Sequence, residues 1–189
     1  SRGRNPHMTQ EQIAETLCDY LGADKVLWLS DGIDPEETNG HVDDVACFVR
    51  PGEVACIYTE DEFSPFYETA QQCYRELCRM TDAKGRKLKV HRVCCPKEPV
   101  QIGDDFRIDH MPGTIPREQG ELCIASYLNF LITNGAVIVP QYGDENDALA
   151  LEQIQEIFPE REVIGVYTRE IVYGGGNIHC ITMQQPKCR

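Results

Sequence analysis

The sequence has few cations. It contains 18 Lys and Arg residues against 31 Asp and Glu residues, for a net charge of −13. Proteins bind nucleic acids and anionic membrane surfaces largely through Lys and Arg side chains. The charge therefore disfavours nucleic acid and membrane partners, and it favours a cationic small molecule as ligand.

Long apolar runs are also missing. No stretch approaches the roughly 20 apolar residues that cross a bilayer, and no signal peptide is recognisable. Apolar residues make up 41% of the chain and charged residues 26%, as in ordinary globular proteins. At 189 residues, the chain can bury one core. We expect a single domain of a cytoplasmic protein whose natural N-terminus lies upstream of Ser1.

Closely spaced cysteine pairs of the C-x-x-C type are absent, although the chain has ten cysteines. A structural zinc site is therefore not expected, and we predict no metal ligands. Cys47, Cys56 and Cys123 lie in apolar runs typical of strands, whereas Cys18 and Cys78 lie on predicted helix faces. We expect such cysteines to act as small buried hydrophobic residues in a reducing compartment.

The remaining pattern alternates strands with helices and predicts an α/β fold. Short strands, polar loops, hairpins and helices recur in the same order, and repeats of this kind bury their faces by packing around a common axis, as propeller blades do. The loops that carry His41 and Cys180 would then meet near that axis. The predicted helices cover residues 10–21, 64–81 and 146–158, the single strands 25–29, 87–93 and 162–167, and the hairpins 42–58 and 125–140.

Three consecutive glycines precede a cysteine near the end of the chain. Residues 174–182 read GGGNIHCIT, and the alternation after the glycines predicts a strand. This pattern would place the Cys180 thiol on one face, beside a turn without obstructing side chains, and His179 on the opposite face in a structural role. Cys180 is therefore either an accessible nucleophile or a buried cysteine next to a tight turn.

A second motif combines a histidine with a carboxylate. If a strand begins at Val42, His41 and Asp43 face the same side. A carboxylate orients a histidine ring and stabilises its charge, and such a pair can serve a thiol nucleophile as acid and base. The alternative is a hydrogen-bonded histidine at a strand start, with Asp43 as an ordinary solvated acid. These residues alone leave both possibilities open.

Two polar loops flank these motifs. The first carries the acidic residues Asp31, Asp34, Glu36 and Glu37, which form either a solvated loop or a rim that holds the tail of a cationic substrate. The second, residues 94–120, is long for a connector, and we hypothesise that it covers the site as a lid.

Taken in order, these motifs resemble the agmatine deiminase family. Residues 39–48 (NGHVDDVACF) and 50–53 (RPGE) resemble its GHxD segment, and residues 174–182 resemble its nucleophile segment. Three further segments are similar to the same family, so the resemblance runs from about residue 3 to residue 186. They are residues 82–86 (DAKGR), 126–130 (SYLNF) and 139–147 (VPQYGDEND).

The resemblance implies both a fold and a reaction. The family belongs to a guanidine-modifying superfamily with a pseudo-fivefold α/β-propeller, the pentein fold. It hydrolyses agmatine to N-carbamoylputrescine and ammonia, a step of polyamine biosynthesis towards putrescine, without metal or organic cofactor. By matching position, Cys180 is implied as the nucleophile, His41 as the acid and base, and Asp43 as the group that binds the guanidinium. Gly175 and Gly176 would let the backbone approach the substrate.

The sequence departs from the family in two respects. Met183 stands where the family usually has Gln, and we expect little consequence. The family also carries further substrate-binding carboxylates and about half of its propeller upstream of the segment that corresponds to Ser1. Residues 1–189 would therefore be the C-terminal part of a single catalytic domain, inactive or weakened alone, with exposed strand edges that favour a homo-oligomer. An amidinotransferase, a peptidyl-arginine deiminase and a fragment with an inert thiol remain alternatives.

Overall fold

A computed structural model of the protein describes residues 5–33, 40–104, 106 and 117–187. Part of the predicted acidic loop, namely Asp34, Glu36 and Glu37, lies outside the described residues, as does much of the proposed lid. The elements in chain order are α1 (Gln10–Leu21), a 3-10 turn (Val42–Asp44), β1 (Ala46–Arg50), β2 (Glu53–Tyr58), α2 (Tyr67–Arg79), β3 (Lys89–Cys94), β4 (Leu131–Ile132), β5 (Ala136–Gln141), α3 (Asp147–Ile157), β6 (Glu162–Tyr167) and α4 (Arg169–Val172).

The same unit of two strands, a helix and a third strand occurs twice. In the first unit β1 and β2 form an antiparallel hairpin, α2 follows, and β3 returns parallel to β2. In the second, β4 and β5 form the hairpin, α3 follows, and β6 lies parallel to β5. Each helix makes the crossover that a parallel pair requires. The predicted α/β class and its repeat are confirmed for these two units.

The turn residues explain where the first hairpin reverses. Gly52 follows Pro51 with φ +83°, a left-handed conformation that glycine adopts without strain. The pairing of Arg50 with Glu53 closes the hairpin after a register shift that follows Phe48. The second hairpin is shorter than predicted, because residues 125–130 form a buried irregular loop instead of a strand.

The predicted helices form with small changes in their bounds. α1 begins after Thr9, whose side chain accepts from the Gln12 amide in a capping box, and it ends at the left-handed Gly22. α2 begins three residues later than predicted, because the turn from Asp61 to Ser64 precedes it. α2 buries a stripe of small and apolar side chains against its sheet: Ala70, Cys73 and Leu77.

Three strand predictions are wrong. Residues 25–29 form no strand; a hydrogen bond from Lys25 Nζ to the Thr81 carbonyl, 2.6 Å long, ties the start of this segment to the chain just after α2. The chain at Val42 is a 3-10 turn, and strand pairing starts only at Ala46. Residues 178–181 are a turn, because the Ile181 amide bonds locally to the Asn177 carbonyl instead of to a neighbouring strand.

One apolar core joins the two sheets. Its largest fully buried side chains are the aromatic rings of Tyr127, Phe130, Tyr142 and Phe158. The burial predicted for cysteines holds for Cys56 and Cys123 but is wrong for Cys78, which is exposed. Within the described ranges, no helix is long and apolar enough to cross a membrane, and no cluster of three potential metal ligands occurs.

Candidate functional site

Three segments from distant parts of the sequence come together in the fold. They are the 3-10 turn that carries Asp43, the buried loop before β4 that carries Asn129, and the turn that carries His179 and Cys180. Their side chains contact one another directly. The segments that precede the two ββαβ units and the turn after α4 therefore form one polar cluster.

The carboxylate of Asp43 lies at the centre of this cluster. Its Oδ2 is 2.8 Å from Nδ1 of His179, 3.3 Å from the Cys180 sulfur and 3.3 Å from Nδ2 of Asn129. Partial burial opposes ionisation of this carboxyl, but hydrogen bonds from His179 and Cys180 outweigh it and hold the pKa of Asp43 below its ordinary value. Asp43 is therefore a carboxylate at neutral pH.

The Cys180 thiol is exposed, unlike most of the other cysteine side chains. The protein nevertheless removes part of the water around the sulfur, and this partial burial together with the neighbouring Asp43 charge raises the pKa of Cys180 above that of an ordinary thiol, while a hydrogen bond from Asn129 acts in the opposite direction. Cys47 differs, because its thiol is well shielded, and burial together with Asp43 raises its pKa to about 11. Cys180 is thus an accessible thiol whose ionisation depends on the charge beside it.

His41 lies at the edge of the same cluster. Its Nδ1 is 3.9 Å from Oδ1 of Asp43, and the His41 side chain is 44% exposed against 18% for Asp43. The predicted proximity of His41 and Asp43 is confirmed, although a 3-10 turn produces it instead of a strand. Close packing of two glycines fixes the chain just before His41, since a Cβ on Gly32 would lie 2.4 Å from Cα of Gly40.

A cleft of about 850 Å³ opens onto these residues. The residues that line it include His41, Asp43 and His179, together with Trp28 and Asp31. This volume lies in the range of small-molecule sites, and the mixture of apolar surface with a few acidic and imidazole groups suits a small organic cation. Of the predicted acidic loop, only Asp31 lies among the described residues of this cleft.

Steric constraints explain why glycine occurs directly before the segment that carries Cys180. A Cβ on Gly176 would lie 2.8 Å from Cβ and 3.0 Å from the sulfur of Cys180, so no larger residue fits while the thiol keeps its place. Gly175 has φ +88°, which favours glycine. Gly176 is therefore constrained because the Cys180 side chain packs closely against it. Contact of Gly175 and Gly176 with a substrate stays a prediction.

His179 and Asn129 were missed as members of the site. Strand alternation placed His179 opposite Cys180, which is wrong: the turn directs both side chains towards Asp43. Asn129 lies in an apolar run that predicts a strand, and its polarity within that run was the available signal. The proximity of His179 to Cys180 in sequence was the signal for the histidine.

A chain of buried hydrogen bonds connects the segments that carry the cluster. Asp44 is 3% exposed, and its carbonyl accepts from the Ser126 hydroxyl at 2.7 Å. The Tyr142 hydroxyl donates to the Ser126 carbonyl at 3.0 Å and accepts from the Asn177 side chain at 3.3 Å. Because buried polar groups cost free energy unless they are paired, this chain of bonds favours one arrangement of the segments.

Comparison with known proteins gives a consistent result. A family model described as Porphyromonas-type peptidyl-arginine deiminase matches residues 1–186. A curated Lactococcus lactis protein named "Putative agmatine deiminase" is 70% identical over 189 residues, which are 100% of this chain and 52% of that protein. An Enterococcus faecalis protein of the same name is 68% identical over 187 residues, 99% of this chain and 51% of that protein.

A solved structure is also very similar. It is described as agmatine deiminase of Enterococcus faecalis catalysing its reaction, and it superposes with a TM-score of 0.96 at 68% identity. The match covers 99% of this chain and 51% of that structure. The chain therefore spans about half the length of the curated relatives it matches.

Proposed function

Because the chain belongs to the Porphyromonas-type peptidyl-arginine deiminase family, we propose that it carries the nucleophile of an agmatine deiminase. One observation supports this above all: the sulfur of the exposed residue Cys180 lies 3.3 Å from the carboxylate of Asp43, and Asp43 lines a cleft suited to a small cation. The names of the relatives from Lactococcus lactis and Enterococcus faecalis support agmatine as the substrate.

Asp43 binds the guanidinium group of the substrate in this proposal. The carboxylate is ionised at neutral pH, because the pKa of Asp43 is lowered. A carboxylate accepts paired N–H bonds from a planar guanidinium, which brings the guanidinium carbon close to the neighbouring sulfur. The net charge of −13 favours the approach of such a cation.

The substrate itself promotes ionisation of the nucleophile. In the free protein the Asp43 charge raises the pKa of Cys180. A guanidinium bound to Asp43 offsets that negative charge, so the thiol loses its proton more readily when substrate is present. The thiolate then attacks the guanidinium carbon, a Cys180 S–C bond forms, and the electron pair of the C=N bond moves to nitrogen.

His41 transfers the protons in the remaining steps. It takes the proton that the Cys180 thiol loses and gives it to an NH2 nitrogen of the tetrahedral centre; the C–N bond breaks, and ammonia leaves, so that an amidino-thioether remains on Cys180. His41 then takes a proton from water, which attacks the same carbon. The C–S bond breaks, and N-carbamoylputrescine is released with Cys180 restored. No step in this scheme uses a metal or an organic cofactor.

The remaining half of the polypeptide completes the site in this proposal. We place residues 1–189 in the C-terminal part of one catalytic domain, a pseudo-fivefold α/β-propeller, whose other part supplies further carboxylates. Apolar side chains of β6 that are exposed here support a covering segment, since Ile164 is 37%, Val166 40% and Tyr167 57% exposed. By itself the chain would be weakly active or inactive, and these open edges could pair copies of it.

Ammonia release from agmatine tests the proposal. The chain would be assayed alone and together with the missing half of the Enterococcus faecalis relative, and we expect release in the combined sample only, or far more strongly there. Cys180→Ala should abolish it, because no thiol remains to form the intermediate. Cys78→Ala is the matched control, since Cys78 is another exposed cysteine and belongs to α2.

Two results would contradict this function. Activity that survives Cys180→Ala would exclude covalent catalysis by Cys180. Transfer of the amidino group to an amine without ammonia release would indicate an amidinotransferase. The family description favours peptidyl-arginine as a second candidate substrate, so an arginine-containing peptide belongs in the same assay; we expect agmatine to react faster.

A further inference from the structure

Asn129 joins the three segments of the site through one side chain. It is fully buried, at 0% exposure, in the loop before β4. Its Nδ2 lies 2.9 Å from Oδ1 of Asp44, 3.2 Å from the sulfur of Cys180 and 3.3 Å from Oδ2 of Asp43. Its amide nitrogen therefore faces the proposed nucleophile and two carboxylates together.

The other end of the same amide holds the nucleophile turn. Oδ1 of Asn129 accepts from the backbone N–H of His179 at 2.9 Å and from that of Cys180 at 3.3 Å. The backbone carbonyl of Asn129 also accepts from the His179 N–H, at 3.1 Å. Both ends of the side chain are thus bonded to the site segments, and this compensates for the cost of burying a polar group.

We propose that Asn129 is a positioning residue, which fixes the Cys180 sulfur against the Asp43 carboxylate and donates a hydrogen bond to the sulfur as it becomes a thiolate. The acceptor end of the amide sets the turn that presents the thiol. The donor end stabilises negative charge on sulfur, because a hydrogen bond to an ionised acceptor is stronger than one to a neutral acceptor. The inference rests on the proposed role of Cys180.

Several titratable groups surround the Cys180 sulfur and share its electrostatics. Asp43 lies 3.3 Å away, and His179 and His41 both lie near Asp43. Asp44 is bonded to Asn129, and the thiol of Cys47 also responds to the charge on Asp43. A test of Asn129 must therefore follow the ionisation of Cys180 itself and not a pH profile of the whole protein.

The direction in which the pKa of Cys180 changes when Asn129 is replaced separates this role from a merely structural one. Burial and Asp43 raise the pKa of Cys180, whereas the hydrogen bond from Asn129 lowers it. If Asn129 only held the loop together, its removal would release the thiol towards water, and the pKa of Cys180 would fall towards the ordinary value. If Asn129 stabilises the thiolate, the pKa rises.

The experiment measures the rate of alkylation of Cys180 by iodoacetamide against pH. Mass spectrometry of the peptide that carries Cys180 separates its signal from those of the other cysteines. The midpoint of this curve is the pH at which half of Cys180 is ionised. We expect Asn129→Ala to raise the midpoint. We expect Asn129→Asp to raise it further, because the substitution replaces the hydrogen-bond donor by a second carboxylate. A rise of one pH unit slows alkylation at neutral pH by about tenfold.

Asn146→Ala is the matched control. Asn146 is likewise an asparagine whose side chain donates a long-range hydrogen bond, in this case to the Cys95 carbonyl at 2.8 Å, and this bond links the start of α3 to the residue after β3. Its substitution should leave the Cys180 midpoint unchanged. Circular dichroism establishes that the variants are folded, and Asn129→Asp keeps the test decisive if Asn129→Ala does not fold.

A midpoint that stays constant or falls in the folded Asn129 variants would overturn the proposal. An equal rise in Asn146→Ala would overturn it as well, since the effect would then be a general loss of stability. The titration requires no substrate and no turnover. Failure of agmatine deimination and failure of this role for Asn129 are therefore distinguishable results.

Discussion

At the scale of single residues, the site depends on one carboxylate that several groups share. Asp43 lies within hydrogen-bond distance of His179, Cys180 and Asn129, and it approaches His41. We propose that its negative charge has two opposing effects on the reaction. It binds the cationic substrate, and it keeps the thiol protonated until that substrate arrives, because Asp43 contributes to the raised pKa of Cys180.

Asp43→Asn tests this opposition. The amide keeps the shape of the side chain but removes the charge, so the pKa of Cys180 should fall and iodoacetamide should modify Cys180 faster at neutral pH. Agmatine turnover should nevertheless be lost, because an amide does not bind a guanidinium as a carboxylate does. Alkylation against pH and ammonia release together measure the two effects.

Asp61→Asn provides the control for the loss of one negative charge. Asp61 is an exposed carboxylate that accepts from the Phe63 amide in its own turn. Asp61→Asn should change neither the pH midpoint of Cys180 alkylation nor the rate of ammonia release. A Cys180 midpoint that rises in Asp43→Asn would contradict the account, since the neighbouring charge would then favour the thiolate instead of opposing it.

At the scale of elements, turns present the functional groups and strands provide the frame. The sequence predicted α1, the first hairpin, α2, α3 and β6 with small errors, because capping residues, Pro-Gly turns and apolar periodicity act locally. It failed for residues 178–182, where alternation of apolar residues predicts a strand. A local bond to Asn177 and long-range bonds to Asn129 compete with strand pairing there. The long-range partner is not visible in a sequence.

Prediction of the site was likewise limited to residues that occur in local sequence motifs. Cys180, His41 and Asp43 stood out because they occur in recognisable motifs, and the structure brings Cys180 and His41 close to Asp43. Asn129 comes from a loop 51 positions away from Cys180 along the chain. No local pattern could predict this contact, because it depends on how the two units pack.

Gly176→Ala tests the importance of the turn geometry. The new methyl group would lie 2.8 Å from Cβ of Cys180, so the turn must shift and the sulfur must move away from Asp43. We expect agmatine turnover to fall by at least about tenfold, with a loss of stability of about 1–3 kcal/mol that is typical of overpacking. Turnover and chemical unfolding measure the two changes.

Gly135→Ala is the matched control at the turn of the second hairpin. A Cβ at that position has no atom within 4 Å, so the same substitution adds a methyl group without a clash. Its turnover should equal that of the parent protein. If Gly176→Ala were equally active, the close approach of Gly176 to Cys180 would not matter for function.

At the scale of the whole molecule, two copies of one ββαβ unit meet at a shared polar cluster. The turn before the first unit supplies Asp43, the loop before the second unit supplies Asn129, and the turn after α4 supplies Cys180. Neither unit contains the site alone. The matched relatives are about twice as long as this chain, and the account assigns the remaining substrate contacts to that other half.

Covalent catalysis by Cys180 requires an intermediate that can be trapped on its sulfur. The chain, together with the other half of the Enterococcus faecalis relative, would be mixed with agmatine, quenched rapidly in acid and analysed by mass spectrometry. The account predicts an adduct of agmatine minus ammonia on the peptide that carries Cys180, and no adduct in Cys180→Ala. Turnover of agmatine without any adduct, or with the adduct on another cysteine, would contradict it.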